Sequence, residues 1–324
     1  MNEGVSILIY RYFFYDGQFV VILFFILSGI VTYLSIEEHT EEYKLKYSFC
    51  FAVKKIARMY PVYIITLIFI IAFNVNLLKN FGRLIISIFL IQSYIPNSEI
   101  YFSFNGGAWY LSSLLFSFLL AITFYKIINK LRLKQSISYM IIIYLIQVLL
   151  VIVFMKFKIS HWLIYINPFM RSFQFFMGML LVKIIKGNKI CITTKTEIIS
   201  VIGLVSAYLL GRYVNISFRY GVYYIPFILL VLYVFYFQKG IISRILSNKI
   251  FLKLSKISFE FYMIHHVIIL KSQEFINNKK FSIIVSLVFS LIFATLLNRY
   301  ITKKITNVMK KSAFSNSNVV VFDK

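Results

Sequence analysis

Residues 18–36 read QFVVILFFILSGIVTYLSI, an apolar run with no charged side chain. At about 1.5 Å of helical rise per residue, a run of this length covers the roughly 30 Å of a bilayer's hydrocarbon core. It has no polar face to turn toward water, so it is not an amphipathic surface helix. Further mostly apolar runs, some with a charged residue, qualify by length and hydropathy at 61–78, 109–127, 137–155, 164–182, 198–211, 221–237, 257–271 and 281–298. In lipid a segment must satisfy its own backbone polar groups, and a helix does so within itself. The fold class expected is therefore all-α: a polytopic integral membrane helical bundle of about nine spans. A further apolar stretch, Leu84 to Pro96, is too short to cross and ends in proline, so it reads as one short re-entrant or interfacial segment.

Composition supports this assignment. Apolar residues make up 60% of the 324 and charged residues only 14%, where soluble domains carry about 25% charge. Lys and Arg number 35 against 11 Asp and Glu, a net charge of +24. In a soluble chain such an excess suggests a polyanion partner, but here its distribution gives another account. Loops following alternate spans hold 23 of the basic residues and the opposite loops 10, the asymmetry expected when Lys and Arg stay on the cytoplasmic side. This places the C-terminus in the cytoplasm, with anionic membrane lipids as the basic loops' partners. No nucleic-acid-binding motif accompanies the charge.

With few Gly and Pro and no linker, residues 1–311 are expected to form a single transmembrane domain and 312–324 a short cytoplasmic tail. Nine crossings then put the N-terminus outside, although the first 17 residues lack the basic start and cleavage site of a signal peptide. Cys50 and Cys191 form neither a disulfide framework nor a CxxC site.

Ionisable residues inside spans are costly and mark partners, pathways or chemistry. Arg171 lies in the fifth span, and Glu260, His265 and His266 in the eighth; His161 stands just outside the fifth as an interfacial residue. Arg171 and Glu260 read either as an interhelical ion pair or as functional groups. Glu260 and His265 are about 140° apart on a helix, so they do not make a helical metal pair, and no metal is expected. Lys55 and Arg58, at i and i+3, share a helical side at the headgroup level. They read as a phosphate grip or as a juxtamembrane anchor. Trp109 follows Asn105-Gly106-Gly107 at the mouth of the third span, either lining an entrance or sitting in the aromatic belt.

Five elements, in order, resemble the acyltransferase-3 superfamily of membrane O-acyltransferases. Phe24-Phe25-Ile26-Leu27-Ser28-Gly29 is similar to its FFxLSG. Phe51-x-x-Lys54-Lys55-x-x-Arg58-x-x-Pro61-x-Tyr63 resembles its F-x-x-R-R-x-x-R-x-x-P-x-Y, and Trp109-Tyr110-Leu111 its W-x-L. Arg171-Ser172-Phe173-Gln174-Phe175-Phe176-Met177-Gly178 is similar to R-x-x-x-F-x-x-G, and Ile257 to His265 to I-S-Y-x-x-Y-L-x-H. There are departures. Leu114 replaces the acid of W-x-L-x-x-E, and Asn298-Arg299-Tyr300 stands where many members have Glu-x-Pro. The family's first helix, with a basic residue and a His regarded as catalytic, has no counterpart. Met1 falls just before the family's second helix, so a complete chain is expected to carry one more span and a cytoplasmic N-terminus.

The resemblance implies a multi-pass protein of the cell membrane moving an acyl group, acetyl in the first instance, from acyl-CoA to a hydroxyl of a cell-surface or lipid-linked carbohydrate. On this reading His265 and Arg171 are catalytic, Lys55 and Arg58 bind the CoA phosphates, and Trp109 and Glu260 face the substrate. Acyl-CoA (acetyl-CoA) is then a donor substrate, and no resident cofactor is expected. Two alternatives remain: a polysaccharide or acyl-group transporter in which Arg171 and Glu260 line a polar path, and an inactive truncated relative.

Overall fold

A computed structural model describes residues 16–38, 47–188 and 192–308; the expected tail at 312–324 lies outside them. In chain order the helices are α1 (Gln18–Glu37), α2 (Ser48–Ala57), α3 (Tyr60–Phe73), α4 (Phe81–Ile88), α5 (Trp109–Asn129), α6 (Leu133–Phe154) and α7 (Pro168–Gly187). They continue with α8 (Thr194–Leu210), α9 (Ile216–Gly221), α10 (Ile225–Tyr236), α11 (Ile241–Leu246), α12 (Lys249–Lys256), α13 (Ser258–Phe275) and α14 (Lys279–Leu297). There is no strand among the described residues, and the all-α membrane bundle read from the sequence is the fold.

Among the described residues seven helical segments are long and apolar enough to cross a bilayer: Gln18–Glu37, Trp109–Asn129, Leu133–Phe154, Trp162–Gly187, Thr194–Tyr213, Ile216–Tyr236 and Phe281–Val308. The pair α2 and α3, bent by 53°, makes an eighth if taken as one span. The eighth expected span, 257–271, is the helix α13, but Glu260, Lys271 and Glu274 together with two His make it too polar to count on composition. The stretch from Leu84 to Pro96 yields only α4 and a 3₁₀ turn at Gln92–Tyr94. At about 1.5 Å per residue α4 spans a fraction of the hydrocarbon.

At α8 the helix starts earlier than hydropathy suggests because its polar first turn is capped. Thr193 accepts from the Thr196 N–H, while the Thr196 hydroxyl accepts from the Thr193 N–H, so α8 begins at Thr194. This reciprocal cap satisfies donors that the first turn otherwise leaves unpaired.

The chain resolves into two compact units that interleave in sequence. The first comprises residues 1–52, 93–97 and 112–248, the second 53–92, 98–111 and 249–324. Because the polypeptide passes between them several times, inside α2 and inside α5 among other places, no composition-poor linker marks a boundary.

In the first unit α1 packs on α7 at a glycine crossing. A Cβ on Gly29 would lie 2.0 Å from the Phe175 carbonyl oxygen, and one on Gly178 would lie 2.0 Å from that of Ile26. Only hydrogen fits at either position, so the two backbones touch. The final glycines of the Phe24–Gly29 and Arg171–Gly178 elements are thus the two sides of one contact. Glu197 of α8 accepts from the N–H groups of Gly240, Ile242 and Ser243 and from the Ser243 hydroxyl, capping α11 from a distance. In the second unit α13 and α14 form an antiparallel hairpin through Ile276–Asn278, with Ser272 meeting Ser282 and Ser286 across it. Tyr60 and Tyr63 of α3 donate to the carbonyls of Ile88 and Ser87, both at 2.8 Å, and so fix α4.

Candidate functional site

The candidate residues divide between the units, and each unit builds its own polar cluster. In the second, α13 carries Glu260, Tyr262, His265 and His266 within about two turns. The His265 ring is half-buried, with Nδ1 at 3.1 Å from the Phe261 carbonyl oxygen and 2.8 Å from that of Tyr262. Carbonyl oxygens only accept, so Nδ1 carries a proton, and in the neutral ring Nε2 is then the atom with the lone pair. The ring also stacks on Phe261, 5.6 Å away and nearly parallel. The sequence offers no carboxylate to orient this histidine; the preceding turn of its own helix does so instead.

Asn105-Gly106-Gly107 lies against this helix. Asn105 is buried, and its Nδ2 donates to the Met263 carbonyl at 2.8 Å and to the Thr66 hydroxyl at 3.3 Å, while its Oδ1 accepts from the Gly107 N–H. The Tyr262 hydroxyl donates to the Gly107 carbonyl at 3.1 Å. A Cβ on Gly106 would stand 3.2 Å from His266 Cε1, so the bare backbone leaves this imidazole its place. Trp109, the first residue of α5, is 2% exposed. It belongs to the buried interior at this loop, where Tyr110 meets Tyr262 edge-on at 5.5 Å.

Glu260, in the first turn of α13, is buried and accepts from Asn298 Nδ2 at 2.9 Å and the Thr302 hydroxyl at 2.6 Å. Asn298 and Thr302 stand four apart in a π-helical turn that continues α14. Asn298 also donates to the Lys256 carbonyl and so ties that turn to the start of α13. Lys55 and Arg58 flank the bend between α2 and α3. The helix stops at Ala57, so Arg58 sits in the joint rather than one turn further along the same face, as the i, i+3 reading expected. Lys55 is half-buried and Arg58 exposed.

Arg171 is wholly buried in the first unit, and its surroundings follow from two helix breaks. Pro168 has no N–H to return to the Ile164 carbonyl, and the Phe169 N–H goes to the Asn167 side chain. The carbonyls of Ile164 and Tyr165 are left over, and Arg171 donates to both, at 3.2 and 2.6 Å. The second break lies between α9 and α10. There the Tyr220 carbonyl accepts from Arg171 at 2.9 Å and the Gly221 carbonyl from Gln174 at 3.0 Å. Gln174 Oε1 in turn accepts from Arg171 at 2.7 Å. Unpaired carbonyls in a membrane interior are costly, and one guanidinium with one amide serves four of them. The partners of Arg171 are neutral acceptors, and those of Glu260 are neutral donors in its own unit, rather than the mutual ion pair considered from sequence.

His161 stands at the mouth of this cluster, its ring 5.4 Å from that of Tyr165 and 5.3 Å from that of Tyr220. Burial and the Arg171 guanidinium hold its pKa below the usual 6.5. Asp16, 2% exposed, accepts from Arg219 at 2.9 Å and from the Tyr224 hydroxyl at 2.8 Å. Sequence reading passed over Asp16, Arg219 and Gln174. The visible signals were an acid immediately before a span and two prolines interrupting apolar runs. Among the described residues no three His, Cys, Asp or Glu side chains converge to hold a metal ion.

A family model described as an acyltransferase domain, that of acyltransferase 3, matches residues 2–299, and the chain belongs to this family. It is thus a multi-pass protein of the membrane acyltransferase kind. No curated protein and no solved structure matches it.

Proposed function

We propose that this protein transfers an acyl group, acetyl in the first instance, from acyl-CoA to a hydroxyl of a cell-surface or lipid-linked carbohydrate. Beyond family membership, the observation that carries this reading is His265. Its Nδ1 is held by two carbonyls, which turns the basic Nε2 outward from its own helix turn. In the reaction Nε2 takes the proton of the acceptor hydroxyl as the oxygen attacks the thioester carbonyl. The C–S bond then breaks, and the departing CoA thiolate takes up a proton.

Lys55 and Arg58, at the α2–α3 bend, are the cations for the CoA phosphates, a role favoured by the exposure of Arg58. Trp109 packs the Asn105–Gly107 loop, and Glu260 fixes the start of α13; both thereby act on the acceptor side by holding His265 and its surroundings. Arg171 serves as a positioning residue through the carbonyls that it binds. The transport reading needs Arg171 and Glu260 along a polar path, and both spend their hydrogen bonds on local partners.

The test is transfer of radiolabelled acetyl from acetyl-CoA to surface polysaccharide by membranes containing the full chain. Label on the glycan, lost in His265→Gln, supports the proposal. Absence of label from the glycan with every acyl-CoA offered would overturn it.

A further inference from the structure

By sequence, residues 239–256 are one of the basic loops between spans. The structure folds the end of that loop into α12, Lys249–Lys256, and no residue of this helix is buried. Ile250, Phe251, Leu252 and Leu254 are 66, 45, 49 and 42% exposed. Four large apolar side chains left open on one short helix are unfavourable against water and ordinary against lipid. Their order gives the helix two sides. At about 100° per residue, Lys249, Lys253 and Lys256 fall within about 60° of one another. Ile250, Phe251 and Leu254 occupy a sector about 100° wide on the far side, while Leu252 stands beside the lysine stripe.

Two attachments set the level of α12. The Ile257 N–H donates to the Leu254 carbonyl at 3.2 Å and the Ser258 hydroxyl to that of Ser255 at 2.9 Å, so α12 passes directly into α13. The Lys256 carbonyl accepts from Asn298 at 2.8 Å. Asn298 lies roughly 25 Å along the crossing segment that begins at Phe281, at about 1.5 Å per residue, against roughly 30 Å of hydrocarbon. The hairpin of α13 and α14 therefore delivers the end of α12 to one membrane face.

Charge selects the kind of surface. Between Gln238 and Phe259 the chain has no acidic residue. The same end of the hairpin exposes Arg299, Lys303 and Lys304, and among the described residues none of these cations or the α12 lysines forms an ion pair. An apolar side backed by a lysine stripe at the membrane face is the pattern of a helix lying in the plane of a leaflet. Its ammonium groups sit among headgroup phosphates, which long lysine stems reach from the boundary.

We propose that α12 is an in-plane docking surface for an anionic phospholipid leaflet, with Ile250, Phe251 and Leu254 in the acyl region and Lys249, Lys253 and Lys256 at the phosphates. This surface lies wholly within the second unit and does not depend on the acyl-transfer chemistry.

The experiment is spin-label depth measurement on the full chain in nanodiscs of phosphatidylcholine, alone or with phosphatidylglycerol. Cys50→Ser and Cys191→Ser remove the native thiols, and Ile250→Cys, Leu252→Cys or Leu254→Cys carries the nitroxide. With phosphatidylglycerol, labels replacing Ile250 and Leu254 should collide mainly with lipid-soluble oxygen, and the label replacing Leu252 mainly with a water-soluble nickel chelate. Lys249→Gln with Lys253→Gln should shift the first two labels toward nickel, since each lysine near such a leaflet is worth about a fivefold factor in the docked-to-undocked ratio. Phosphatidylcholine alone should shift them the same way. Nickel collisions at all three labels overturn the proposal, as does an oxygen preference of equal size in both lipids. Shielding of the Ile250 and Leu254 positions from both reagents means a covering of protein, the chain's own tail or a second copy, and overturns it too. If the cysteine-replaced chain does not fold, hydrogen exchange of the unmodified chain decides. Amides of residues 249–256 should exchange more slowly with phosphatidylglycerol than without it, and equal exchange overturns the proposal.

Discussion

Arg171 shows how a single residue is read differently from sequence and from structure. A cation inside a span signals function, yet here the guanidinium serves three carbonyls at two helix breaks and one side-chain amide. Arg171→Met should lower the heating midpoint sharply, since each orphaned buried carbonyl costs about 1–3 kcal/mol. Arg171→Lys should rescue little, because an ammonium lacks the planar fork that reaches two breaks at once. His265→Gln should behave differently, leaving the heating midpoint near wild type while lowering the acyl-transfer kcat by about 10²–10⁴, the usual worth of a positioned base. His161 gives a pH signature. Its folded pKa lies below 6.5, so as pH falls through about 6.5 the unfolded chain takes up the proton before the folded one does, and stability is lost. Heating midpoints measured at about pH 7.5 and 5.5 should therefore separate, and His161→Gln should narrow the gap.

Among the elements, the α1–α7 crossing has the tightest requirement. Gly29→Ala or Gly178→Ala places a methyl group 2.0 Å from a partner carbonyl oxygen, and neither backbone can give way without parting the helices. Each variant should cost at least the roughly 1–3 kcal/mol of an overpacked core, seen as loss of folded protein after detergent extraction or a depressed heating midpoint. Both glycines are legible in the sequence as parts of recurring elements, but their mutual contact is not, because nearly 150 residues separate them and hydropathy carries no pairing information. The α2–α3 bend was partly legible. Pro61 marks a helix start, and the structure has α3 begin at Tyr60, yet spacing alone continued the helix through Arg58. Seven of the nine expected spans emerged as single crossing-length helical segments. Of the other two, one is bent at this joint and the other is polar because it carries Glu260 and the histidines.

At the scale of the whole molecule, the proposed topology places the heavily basic loops and the C-terminus in the cytoplasm. A reporter fused after Lys324 should be accessible to an impermeant reagent only once the membrane is opened; labelling in intact cells would reverse the arrangement. Sequence alone determined the all-helical membrane class, because a span's length and lack of charge are local and the bilayer's thickness is fixed. It also supplied the five elements that resemble the family to which the match over residues 2–299 assigns the chain. Only the tertiary structure decided that Arg171 closes helix breaks, that His265 is oriented by carbonyls of its own helix, and that Asp16 meets Arg219 some 200 residues away. The physical reason is that buried polar groups must find partners wherever the fold brings them, and those partners lie at distances along the chain that no local pattern records.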